Sequence, residues 1–381
     1  MERRGALAET LILGLPAYTY FYTVGSVGFW LPLYAKDLGW SYTLITLLAT
    51  VYFITITPSN ILSGILADAT GRPATILATG MTLNAVATAA MPYTREPEVL
   101  MALRAIQGIG LATSLPMALG SLSLTHGIAR GVGVTVVMQG LGMATGSLAG
   151  GVLVEELGYE GLFHSAALLS LLSALLALRW RIEKPPQGAG ALRGIKRLPA
   201  PVILAAGALA ARNIFASGVF SILTIFFTKK IGLTTTATGV ALALNPVMQM
   251  IAGITAPRIV AGREILAYST GLAATSIVFA LYLHSTTPTG IYTAQALLGL
   301  LFGVASVAGN IYIISRSPSE LRYTASSLFT FAFNLGWILG TTIAGPVMDA
   351  YGPEAWIKIS IPGTLIAGAS ALAATRLEAR G

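Results

Sequence analysis

The chain has 381 residues, 55% of them hydrophobic and 10% charged, with a mean hydropathy of +0.75 and a net charge of +8. Soluble domains usually carry about 25% charged residues, so the composition excludes one. The absence of cysteine also excludes disulfides and thiol chemistry.

A hydrocarbon core of about 30 Å takes roughly 20 apolar residues of helix to cross. Stretches of that kind lie at 10–35, 42–67, 74–93, 99–125, 131–154, 161–178, 201–228, 236–256, 265–284, 289–315, 323–348 and 359–375. Alternating ten-residue strands, the mark of a membrane barrel, are missing. Inside the twelve limits only Arg104 and Arg212 are charged. The predicted fold is an all-α membrane protein of twelve transmembrane helices. The start, Met1-Glu2-Arg3-Arg4, leads into an apolar stretch too long for a signal peptide and is read as a retained first helix.

A basic chain in solution would suit nucleic acid, but here the charges follow the membrane. The even-numbered connections and the two ends hold 16 of the 23 Lys and Arg; the odd-numbered connections hold Lys36, Arg95, Lys229, Lys230 and Lys358. By the positive-inside rule both termini are expected in the cytoplasm of a multi-pass cell-membrane protein.

The longest polar interruption, 183–200, is rich in Pro, Gly and basic residues and reads as a cytoplasmic linker. It divides the chain into six-helix bundles at 1–182 and 201–381. The halves echo each other at an offset of about 190 residues. Tyr34-Ala35-Lys36-Asp37-Leu38-Gly39 matches Phe227-Thr228-Lys229-Lys230-Ile231-Gly232, and Gly142, Gly146 and Gly151 match Gly336, Gly340 and Gly345. Parallel repeats of this kind point to a transporter whose site lies between the halves.

Three motifs stand out. Gly64-Ile65-Leu66-Ala67-Asp68-Ala69-Thr70-Gly71-Arg72 joins spans 2 and 3. Glycine at 71 permits a tight turn, and Asp68 offers a carboxylate to a helix N-terminus or an arginine; an ordinary turn explains the segment too. Span 4 carries Arg104-Ala105-Ile106-Gln107-Gly108-Ile109-Gly110. An arginine in a membrane costs roughly 2.5–3.5 kcal/mol on insertion scales and marks a functional candidate, the alternative being a structural role against backbone carbonyls. Span 5 carries Gly133, Gly142, Gly146, Gly150 and Gly151, a stripe that also reads as close helix packing.

In order along the chain these segments resemble the motifs of the major facilitator superfamily. The resemblance implies a conformational latch at Gly64, Asp68, Gly71 and Arg72, a translocation and proton-coupling motif at Arg104, Gln107, Gly108 and Gly110, and an exporter-type glycine motif in span 5. Basic residues usual in the latch motif are replaced by Ala69 and Pro73, and Ser147 stands where the exporters have proline. The resemblance also implies that the first and fourth helices of each half face the path. That gives Tyr18, Tyr22 and Phe29 in span 1, Arg104 in span 4, Arg212 and Asn213 in span 7, and Gln295 and Asn310 in span 10. Tyr18, Tyr22 and Phe29 fall on roughly one helical face.

No nucleotide-cradling G-x-x-x-x-G-K-[ST] and no metal-spaced His or Cys cluster occurs, so no cofactor and no enzyme activity are expected. The expected function is secondary active transport of a small organic solute by alternating access, as an efflux-type antiporter. The alternative is a carrier of an anionic metabolite using Arg104 and Arg212, with a non-transporting receptor or intramembrane enzyme behind it. Expected partners are the substrate, a coupling ion such as a proton and the bilayer, with the protein a monomer and no nucleic acid bound.

Overall fold

A computed structural model describes residues 2–180, 197–318 and 321–378. Every regular element among them is a helix, which is what a bilayer requires of an open-ended chain, since lipid offers the backbone no hydrogen bonds. The predicted linker falls, at residues 183–196, outside the described residues.

The first crossing is α1 (Glu2–Thr23), a π turn (Val24–Gly28) and α2 (Phe29–Asp37). After it come α3 (Tyr42–Thr70), α4 (Pro73–Ala90), α5 (Pro97–Leu111) and α6 (Ser114–His126). Next is α7 (Ile128–Ala177), then α8 (Ala200–Phe220), α9 (Leu223–Ile225) and a second π turn (Phe226–Lys230). The chain ends with α10 (Thr235–Ile259), α11 (Glu264–His284), α12 (Pro288–Ser315), α13 (Arg322–Tyr351) and α14 (Pro353–Glu378). Ten stretches among the described residues are long and apolar enough to cross a membrane. One of them, within α7, has 48 residues, enough for two crossings, and residues 2–37 supply the remaining one. The twelve spans stand as expected.

Their continuity does not. Spans 5 and 6 are joined in α7 through a single break at Gly158 (φ 69°, ψ −173°). The same device separates α13 from α14 at Gly352 (φ 84°, ψ 159°). Span 4 is divided at residues 112–113, where the Thr113 amide and hydroxyl both turn back onto the Gly110 carbonyl. Span 7 is divided at Ser221 and Ile222, and its last turn is π. In span 1 the π turn inserts a residue where Gly25 lies against the Met143 carbonyl of α7. One extra residue rotates the remainder of the span by about 100°, so Phe29 leaves the face shared by Tyr18 and Tyr22.

The described chain forms two compact units. The first comprises, of the described residues, 2–34, 51–180 and 234–243. Its core includes Tyr52, Ile56, Leu77, Met81, Leu111 and Ala174. The second comprises, of the described residues, 35–50, 197–233, 244–318 and 321–378, with a core of Val202, Leu209, Tyr268, Leu272, Tyr312 and neighbours. Large apolar side chains face outward on both, among them Leu62, Val86, Leu168, Ile254, Ile277 and Ile366. Asn84, Gln107, Arg104, Arg212, Asn213 and Gln295 are buried instead. An apolar exterior, with the intramembrane polar side chains turned inward, suits lipid as the solvent.

Candidate functional site

In the first unit the site is built from α5 outward. Proline at the first position of α5 starts the helix where its missing N–H is no loss. One turn separates Arg104 from Gln107, so the guanidinium Nη1 donates to the Gln107 carbonyl oxygen. Gln107 Nε2 then donates to Thr88 Oγ1 of α4 at 2.7 Å, and Thr88 Oγ1 to Asn84 Oδ1 at 3.3 Å. Asn84 Nδ2 ends the relay on Ser170 Oγ of α7. The guanidinium lies over the Tyr52 ring of α3, 4.2 Å from its centre, while Arg104 Nε is buried without a partner. A desolvated cation on an aromatic face gains about 2 kcal/mol or more.

The second unit solves the same problem independently. Arg212 of α8 is 1% exposed. Its Nε and Nη2 donate to Thr275 Oγ1 of α11 at 3.3 and 3.2 Å, and its Nη1 to Asn213 Oδ1 at 2.9 Å. The guanidinium lies 4.2 Å from the Phe302 ring centre of α12 and 5.4 Å from that of Phe220. Asn213 in turn donates to the Phe333 carbonyl of α13 at 3.4 Å. Neither arginine meets a carboxylate among the described residues; each charge is met by neutral oxygens and ring faces of its own unit.

The other predicted residues occupy varied settings. Tyr18 and Tyr22 lie together, ring centres 6.1 Å apart, with their hydroxyls on Thr145 and Ser165 of α7. Gln295 is buried with an unpartnered Nε2, and half-buried Asn310 donates to the Ser306 carbonyl one turn back. Gly71 has the predicted turn geometry, φ 65°, between half-buried Asp68 and exposed Arg72, and Gly64 faces open space. Gly108 is pressed on Tyr52 and Thr55 of α3, and Gly110 on α4 at Gly80 and Asn84. Gly142 and Gly146 receive the α1 backbone at Tyr18 and Tyr22, Gly150 receives Trp30, and Gly151 receives Thr235 and Gly239 of α10. Gly133 touches nothing, so the span 5 motif is a packing seam that excludes its first member.

The sequence did not single out Tyr52, Asn84, Thr88, Ser170, Thr275 or Phe302. Asn84 and Thr88 offered a signal, two polar residues one turn apart inside an apolar span. A separate cavity of about 520 Å³ in the second unit is lined by Tyr42, Phe226, Lys229, Lys230, Tyr351 and Lys358, among others. Lys229 pairs there with Asp37 at 2.9 Å and Lys230 with Glu354, and none of the predicted path residues lines it.

Twelve crossings with buried polar relays behind apolar outward faces suit a membrane carrier. The family model of the Major Facilitator Superfamily matches residues 15–341: the chain belongs to that superfamily and is a secondary transporter. The tetracenomycin C resistance and export protein of Streptomyces glaucescens is 26% identical over 404 residues, covering 87% of this chain and 74% of the relative. Citrate exporter 1 of Aspergillus niger is 33% identical over 150 residues, covering 38% of this chain and 28% of the relative. Among solved structures, the nucleoside transporter NupG matches with a TM-score of 0.78 at 17% identity, covering 97% of this chain and 98% of that one. A bacterial homologue of the human lysosomal transporter Spinster matches with a TM-score of 0.78 at 14% identity, covering 97% of both.

Proposed function

We propose that this carrier exports small amphipathic organic compounds by alternating access, as a monomer in the cell membrane, with a proton as the coupling ion. The observation that carries this reading is the state of the two buried cations. Each guanidinium donates to neutral groups of its own unit, and the buried side-chain atoms without partners are, besides Arg104 Nε, neutral groups such as Gln295 Nε2 and Tyr282 Oη. Neutral donors among aromatic and aliphatic walls suit a mostly apolar ligand with a few fixed contacts. The likeness to an export protein along 87% of the chain supports the direction. A second reading, transport of an anionic metabolite, is favoured by the match to a citrate exporter and by an interior that holds Arg104 and Arg212.

A thermal-shift screen of purified protein separates the two. A ligand present at 100 times its dissociation constant stabilises the folded state by about 2.7 kcal/mol. Apolar amphiphiles, with tetracenomycin C among them, are expected to raise the melting temperature and citrate to leave it unchanged; the reverse pattern establishes the anion reading. Substrate retained by cells lacking the carrier but expelled by cells expressing it then fixes the direction.

Orientation is open to a clean test because the background has no cysteine. Cysteine at exposed Arg72 is expected to react with an impermeant maleimide only from the cytoplasm, and cysteine at Tyr351, 78% exposed, only from outside. Labelling of position 72 in intact cells overturns the assignment of the termini.

A further inference from the structure

The start of a helix leaves backbone N–H groups that its own ladder cannot satisfy. Two helices, α3 and α10, answer this in part locally: Ser41 Oγ accepts from the Leu44 amide at 3.3 Å and Thr234 Oγ1 from the Ala237 amide at 3.1 Å. The rest is supplied from far along the chain. Asp349, near the end of α13, accepts from the amides of Tyr42 and Thr43 at 2.7 and 2.9 Å and from Thr43 Oγ1 at 2.6 Å. Glu155 of α7 accepts from the Thr236 amide at 2.9 Å and from Thr235 Oγ1 at 3.0 Å.

These two carboxylates are repeat mates, 194 positions apart, and so are the amides of Tyr42 and Thr236 that they hold. Each lies one helical turn beyond a glycine that lets the capped helix approach. A Cβ on Gly151 meets the Thr235 carbonyl and the Gly239 Cα, and one on Gly345 meets Thr43 and Thr46. Deeper along the second pair, Thr50 Oγ1 and Thr341 Oγ1 share a hydrogen bond of 2.7 Å. Both caps cross the sequence halves: α7 precedes the linker and α10 comes after it, and α3 and α13 do the same in reverse. A cap from the neighbouring residue survives any rearrangement of helices, whereas a cap carried by the opposite half exists only while the two helices stay together. The acid also complements the positive end of the helix dipole.

We propose that Glu155 and Asp349 are a matched pair of positioning residues for transport, a latch that holds closed the end of the carrier formed by the odd-numbered connections. Opening that end breaks both caps and leaves the first turns of α3 and α10 to water. The pair thus opposes the Asp68 latch expected at the other end and sets how the carrier divides its time between its two faces. The proposal rests on the transporter assignment and on no particular substrate.

The test is a distance measurement by electron paramagnetic resonance between nitroxides on Leu157→Cys and Tyr351→Cys, both at exposed positions, in nanodiscs. Asp349→Asn or Glu155→Gln is expected to raise the long-distance population about fivefold, the change that corresponds to loss of one N-cap, and the double variant about twenty-five-fold. Asp349→Glu and Glu155→Asp, which keep the charge, are expected to restore most of the parental distribution. Monodisperse variants with an unchanged distribution, including variants that merely melt earlier, overturn the proposal. Should the double variant fail to fold, Gly345→Ala keeps both acids but denies the approach of α3; it is expected to shift the distribution in the same direction, and no shift overturns the latch.

Discussion

Replacing Gly146 by leucine is expected to yield almost no carrier that survives detergent extraction as a monodisperse species. The side chain would have to occupy the place of the Tyr22 backbone of α1. Overpacking among side chains costs about 1–3 kcal/mol because they can shift; here the obstacle is main chain, and the loss is expected to exceed about 3 kcal/mol. Gly133→Leu is the matched control, since nothing lies near that position, and surface changes of that kind fall within about 0.5 kcal/mol. Extraction yield and melting midpoint read both. Equal damage from the two variants would show that the seam with α1 is not what these glycines serve.

Arg212→Ala is expected to lower the melting midpoint sharply, by an amount equivalent to about 2–5 kcal/mol. It empties the space beneath the Phe302 ring and leaves the oxygens of Asn213 and Thr275 without their donor. Arg212→Met refills the volume without a charge and is expected to recover part of the loss, because a buried charge also carries a desolvation penalty. An alanine variant that melts like the parent but no longer transports would assign the guanidinium to the ligand and favour the anionic substrate.

The spans were legible because the bilayer sets both their length and their composition, and the two arginines because a charge at that depth is rare. What surrounds the arginines was hidden. A threonine in an apolar helix can satisfy itself on the carbonyl one turn back, as Thr57 does on Phe53, so Thr275 carries no mark that sets it apart, and Thr88 is marked only by its spacing from Asn84. Tyr52 and Phe302 look like lipid-facing rings until the fold puts a cation over them. The divisions at residues 112–113 and 221–222, and both π turns, leave the local apolar pattern unchanged. Glu155 and Asp349 read only as charges at span edges, because the amides they cap are 81 and 306 positions away.

The single-glycine joints at Gly158 and Gly352 have a mechanical meaning. Their backbone lies in a region that is essentially open only to glycine, and each joins two full-length rods with no spare residue between them. A joint without slack transmits displacement instead of absorbing it. When the first arm of α7 tilts, the second is dragged with it, and α13 drags α14 in the same way. α7 and α13–α14 therefore each work as a pair of levers coupled at one glycine, and a pull on one arm is passed to the other.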